Sequence, residues 1–129
     1  MGLSFSQYLY GFHAVYEIVA GGLLYVTGSA EILDPLQADH TTPSDKMWKR
    51  VQGGAFMTLG YLGILGITTS CPRVKHTINK SCGFYHSLTF GTLLFAIKDG
   101  YKAPKELVIF NPHLLMAVGF GSIILGYAK

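Results

Sequence analysis

A histidine and a glutamate, His13 and Glu17, stand four residues apart in a stretch otherwise built of Leu, Val, Ile, Tyr, Gly and Ala. On a helix that spacing puts both on one face, a single turn apart. An ionisable pair inside an apolar segment has to face other helices, water or a ligand, because lipid solvates it poorly. His86 lies in a later apolar segment and is expected at a similar depth, so His13, Glu17 and His86 are read as one intramembrane polar cluster. Several chemistries suit such a cluster. A carboxylate and an imidazole can clamp helices together. A mid-membrane carboxylate can relay protons or ions. Two histidines on different helices can serve as axial ligands of a b-type haem, and one histidine can hold a chlorophyll. A polar end with Tyr16, Tyr25, Phe56 and Tyr61 around it suits a lipid or sterol. The clamp is the favoured reading. The other apolar segments supply only scattered Thr, Ser and Tyr for a polar path. No metal and no cofactor beyond bound lipid is expected.

A second constellation belongs to the opposite membrane face. Arg50 begins the second apolar segment, Asp99 ends the third and His113 begins the fourth. Arg50 and Asp99 suit an interfacial ion pair, and Arg50 also suits a lipid phosphate, which its planar fork can hold bidentately. Motifs for soluble chemistry are missing: there is no phosphate-binding glycine loop, no GxSxG, no HExxH and no paired CxxC. The five histidines are scattered without metal-ligand spacing. The chain is expected not to be an enzyme.

The elements that must carry these residues follow from composition. Of 129 residues, 50% are hydrophobic and 13% charged, against roughly 25% charged in soluble domains. The length allows one domain, and four spans of about 20 residues would use most of it. The fold class is therefore all-α, an integral membrane bundle of four transmembrane helices at roughly 8–33, 47–70, 82–98 and 111–128. Asp34-Pro35 and Cys71-Pro72 mark stops, and Pro112 suits a first helical turn. The segment 71–81 is expected as a short basic loop. Trp48, Lys49 and Arg50 form an interfacial anchor. Gly53, Gly60, Gly63 and Gly66 in the second helix, and Gly121 in the fourth, are assigned to close helix packing. Cys71 and Cys82 are expected as free thiols. The net charge of +3 is spread over the loops, so nucleic acid is not an expected partner.

The segment Lys49-Arg50-Val51-Gln52-Gly53-Gly54 resembles a feature of two small four-span groups, the DoxX-like proteins and the endoplasmic-reticulum scaffold family of sterol biosynthesis. In them the second helix opens with a basic residue followed closely by glycine. Tyr85-His86 is similar to a Tyr-His of some sterol-scaffold members. The sterol-scaffold family has a His-Phe and an acidic residue late in its third helix. Here that region reads Phe95-Ala96-Ile97-Lys98-Asp99, and only Asp99 corresponds. The resemblance is architectural, and it implies a non-catalytic protein that tethers enzymes.

These readings converge on a structural or accessory subunit of a larger membrane complex, partnered by lipids and other integral membrane subunits. An energy-transducing complex of the mitochondrial inner membrane fits the basic balance and the absence of an Arg-rich presequence. The alternatives are an endoplasmic-reticulum scaffold for sterol or lipid enzymes, and a small proton, ion or lipid transporter using Glu17.

Overall fold

The computed structural model describes residues 3–28, 43–100 and 111–127. Among them are four α-helices and no strand: α1 (Phe5–Thr27), α2 (Pro43–Thr68), α3 (Pro72–Lys98) and α4 (Pro112–Ile124). Residues 31–42 of a first loop expected over 31–46, the 29–33 end of the first helix, and residues 101–110 of a third loop expected over 98–110 lie outside the described residues, while 43–46 belong to α2.

Local chemistry explains the boundaries. α1 ends where Gly28 takes φ 62° and its N–H bonds the Leu24 carbonyl at 2.8 Å, a left-handed cap that glycine adopts without strain. α3 starts at Pro72 and not near residue 82, so most of the segment expected as a basic loop is helix. Proline at the first helical position has no N–H to lose and its φ suits the helix. It also holds Cys71 in extended backbone (φ −78°, ψ 114°). No breaker follows before Gly83, and the basic residues 73–80 are ordinary helix formers. The α2–α3 turn shrinks to Thr69, Ser70 and Cys71, with the Cys71 N–H bonded to the Thr69 hydroxyl at 3.2 Å. α3 ends at Asp99, followed by Gly100 at φ 102°.

Length and composition then separate the helices. α1 (23 residues) and α2 (26 residues) are long and apolar enough to cross a membrane. α3 is long, but its first turns carry Arg73, Lys75 and Lys80. α4 is apolar, but its 13 residues rise only about 20 Å.

The chain forms two compact units, one over 10–68 and one made of 1–9 with 69–129. In the first, α1 and α2 pack together. The buried stripe of α1 is Tyr10, His13, Ala14, Glu17, Ala20, Gly21 and Leu24, at helical spacing. α2 offers Gly53, Gly60, Gly63 and Gly66 as its buried positions. In the second unit α4 packs on α3. Ile78, Asn79, Cys82, Gly83 and His86 form one face of α3, and Met116, Gly119 and Phe120 are buried on α4. The first turn of α1 joins this unit: a Cβ at Gly119 would stand 3.0 Å from the methyl carbons of Leu9.

Candidate functional site

In the α1–α2 unit the glycines bring two backbones into contact. A Cβ built on Gly21 would lie 2.6 Å from the Gly53 carbonyl oxygen, and one on Gly53 would lie 2.5 Å from that of Gly21. No side chain fits there, so this crossing requires glycine on both helices. Gly60, Gly63 and Gly66 continue the seam against Ile18, Ala14 and the ring of Tyr10. The pairs Gly21-Gly22 and Gly53-Gly54, inside helical segments, suggest packing sites from sequence; Gly21 and Gly53 take that role, while a Cβ at Gly22 or Gly54 would meet no described residue within 4 Å.

His13 sits on this seam. Its Nε2 donates to the Leu59 carbonyl of α2 at 3.0 Å. A carbonyl only accepts, so this nitrogen carries a proton. The bond ties α1 to the backbone of α2 at the level where glycines allow close approach. Glu17, one turn on, is completely buried on the same stripe, while Phe12, Val15 and Val19 on the other side of α1 are exposed. His13 and Glu17 are thus buried on one face of α1, and apolar side chains are exposed on the other.

The α3–α4 unit holds the second site. His86, the fifteenth residue of α3 and fully buried, meets His113 of the first turn of α4, with Nδ1 to Nδ1 at 2.8 Å. One imidazole donates through Nδ1 and the other accepts there, so the accepting ring carries its proton on Nε2. Phe120 lies parallel to His86 (2° between planes, centroids 6.1 Å apart). Tyr85 meets both imidazoles edge-on, at 4.9 Å to His86 and 6.0 Å to His113.

His113 is placed by the Asn111-Pro112-His113 sequence. The Asn111 side chain accepts the N–H of His113 at 2.9 Å and of Leu114 at 3.4 Å, an N-cap with proline at the first helical position. That start sets His113 against the middle of α3. Sequence reading grouped His113 with Arg50 and Asp99 at one membrane face, and the geometry corrects this. Asp99 lies thirteen residues beyond His86, about 20 Å further along α3. The grouping assumed that α4 begins level with the end of α3.

The remaining expected positions fall as follows. His13 and Glu17 belong to the α1–α2 unit and His86 to the α3–α4 unit. Arg50 and Asp99 also lie in different units, and both are exposed. Gly121, expected at a packing position, has no described residue within 4 Å of a Cβ built on it. Gly119 takes that role in α4, against Leu9. Cys71 and Cys82 are free thiols, the first exposed and the second buried.

No protein-family model matches the chain, and no curated protein or solved structure matches it either. The likeness to the DoxX-like and sterol-scaffold groups rests on the residues quoted for it.

Proposed function

We propose that the chain is a non-catalytic structural subunit of a larger membrane assembly, with its helices embedded as a multi-span bundle. One observation carries the reading: α1 and α2 lock together backbone to backbone while turning apolar side chains outward on both helices. Phe12, Val15, Val19 and Val26 of α1, and Val51, Tyr61, Ile64 and Ile67 of α2, are all exposed. Such faces are suited to lipid tails and to helices of neighbouring subunits. The scattered hydroxyls add support. Thr27, Thr58, Thr68, Ser87, Thr89, Thr92 and Ser122 each donate to a carbonyl of their own helix, four residues back. The one donor of each of these hydroxyls is satisfied within its own helix. The net positive charge favours an energy-transducing complex of the mitochondrial inner membrane as the host.

The test is native electrophoresis of gently solubilised source membranes, with mass spectrometry locating this chain. Migration within a large assembly is the expected result. The co-migrating proteins identify the process, respiratory subunits for the inner-membrane reading or lipid-synthesis enzymes for an endoplasmic-reticulum scaffold. Migration alone at low mass in several mild detergents would sink the subunit reading.

The burial of Glu17 on an otherwise apolar helix favours a second reading, proton or ion movement. Reconstituted vesicles decide between the two. A flux that Glu17→Gln abolishes supports transport, and no flux above empty vesicles supports the structural role.

A further inference from the structure

The α1–α2 unit carries a cavity of about 440 Å³ lined by Tyr25, Pro43, Lys46, Met47, Arg50, Val51 and Gly54. Its lining changes character along α2. Lys46 and Arg50, four residues apart, share one helix face and form a cationic rim. Met47, Val51 and Gly54, at the same helical spacing, form an apolar wall that Tyr25 of α1 faces. Arg50 is the last charged residue of α2, and the helix is uncharged from Val51 to Thr68. The cavity therefore straddles the step from the polar to the apolar part of a helix long enough to cross a membrane. From Lys46 to Gly54 the helix rises about 12 Å, the span of a headgroup and the first part of an acyl chain.

Two further features suit this place to an anionic amphiphile. Lys46 lies in the first turn of α2, where the helix dipole adds partial positive charge. Its walls are also held. Gly28, the cap of α1, sits on the backbone of Lys46, and a Cβ there would come within 3.2 to 3.4 Å of the Lys46 Cβ, carbonyl oxygen and Cα. The end of α1 thus seats the α2 turn that carries Lys46. Gly54 puts no side chain on the floor, and among the described residues a Cβ there would meet nothing within 4 Å. Asp45, the nearest acid in sequence, does not line the cavity.

We infer that this cavity binds a phospholipid of net negative headgroup charge, its phosphate on Arg50 and Lys46 and one acyl chain along Met47, Val51, Gly54 and Tyr25. Arginine supplies a two-point fork to phosphate and lysine a second point charge. The inference rests on α2 crossing a membrane and is independent of membership in a complex.

The experiment uses the full chain reconstituted with equal amounts of phosphatidylglycerol and phosphatidylcholine, extracted in mild detergent and weighed by native mass spectrometry. Phosphatidylglycerol is expected to stay bound in preference to phosphatidylcholine. Lys46→Gln with Arg50→Gln should lower its retention about tenfold or more, as expected for losing charge-assisted hydrogen bonds. Gly54→Phe, which fills open space and keeps both cations, should lower it as well, with an unchanged unfolding temperature showing that α1 and α2 still pack. Inorganic phosphate at millimolar concentration should not displace the lipid. Equal retention of the two lipids would overturn the inference, as would full retention by the double variant. Wild-type retention in Gly54→Phe would reduce the effect to attraction at a basic surface and also overturn it. Displacement by phosphate alone would mean a free-anion site and do the same.

Discussion

The His86–His113 contact is the most specific polar feature at the scale of single residues. It is an N–H to N bond beside Phe120 and Tyr85, so its strength depends on both rings being present. His113→Ala removes the Nδ1 partner of a fully buried imidazole, and stability should fall by about 1–3 kcal/mol. Replacing both with Phe keeps the ring volumes and removes both ends of the bond, so the double variant should lose less than the sum of the single ones. Denaturant unfolding in detergent checks this through a double-mutant cycle. Additivity within about 0.5 kcal/mol would show that the two rings are not coupled. His86 was legible in the sequence as a polar residue in an apolar segment. Its partner was not, because which turn of α3 faces the start of α4 depends on where α3 begins. The chemistry at Pro72 shifts that start toward the N-terminus.

Among the elements, the glycines of α2 divide by position and not by abundance. Gly53 faces the backbone of α1, whereas Gly54, its neighbour in sequence, faces open space. Gly53→Ala should therefore push the helices apart and cost about 1–3 kcal/mol or more. Gly121→Ala should be neutral or stabilising by up to about 1 kcal/mol, since alanine is the better helix former and nothing is in its way. Thermal unfolding of both variants measures the contrast, and equal losses would contradict the seam. The start of α4 is the other local device. Asn111→Ala should cost about 0.5–2 kcal/mol through the lost cap. It should also weaken the histidine pair, because the cap holds the turn that carries His113. Gly53, Gly60, Gly63 and Gly66, singled out by their repetition in the uncharged part of α2, are its buried positions. Gly121 was assigned to packing by its small-residue spacing from Ala117; a Cβ there meets no described residue within 4 Å, and Gly119 is the glycine that α4 sets against Leu9.

For the whole molecule, the two cysteines provide a probe of both packing and topology. Cys71 is exposed in the turn between α2 and α3, and Cys82 is fully buried on α3. A membrane-impermeant maleimide should modify Cys71 when it is presented from the side on which that turn lies, and Cys82 only after denaturation. The side that labels orients α2, since the turn follows its last residue directly. Equal labelling of both thiols in the folded protein would contradict the packing of α3.

Helical class, the apolar character of the first two helices and the isolation of His13 and Glu17 among apolar residues were properties of the sequence alone. They depend on composition and on the 3.6-residue period, both local quantities. Tertiary structure decided that His86 meets His113, that Gly21 and Gly53 touch, and that Lys46 and Arg50 open onto an apolar cavity. Each of these depends on the axial offset between two helices. Offset is set by where caps and prolines end each helix and by how side-chain volumes interlock between them, and neither the period nor the composition of a single helix encodes it.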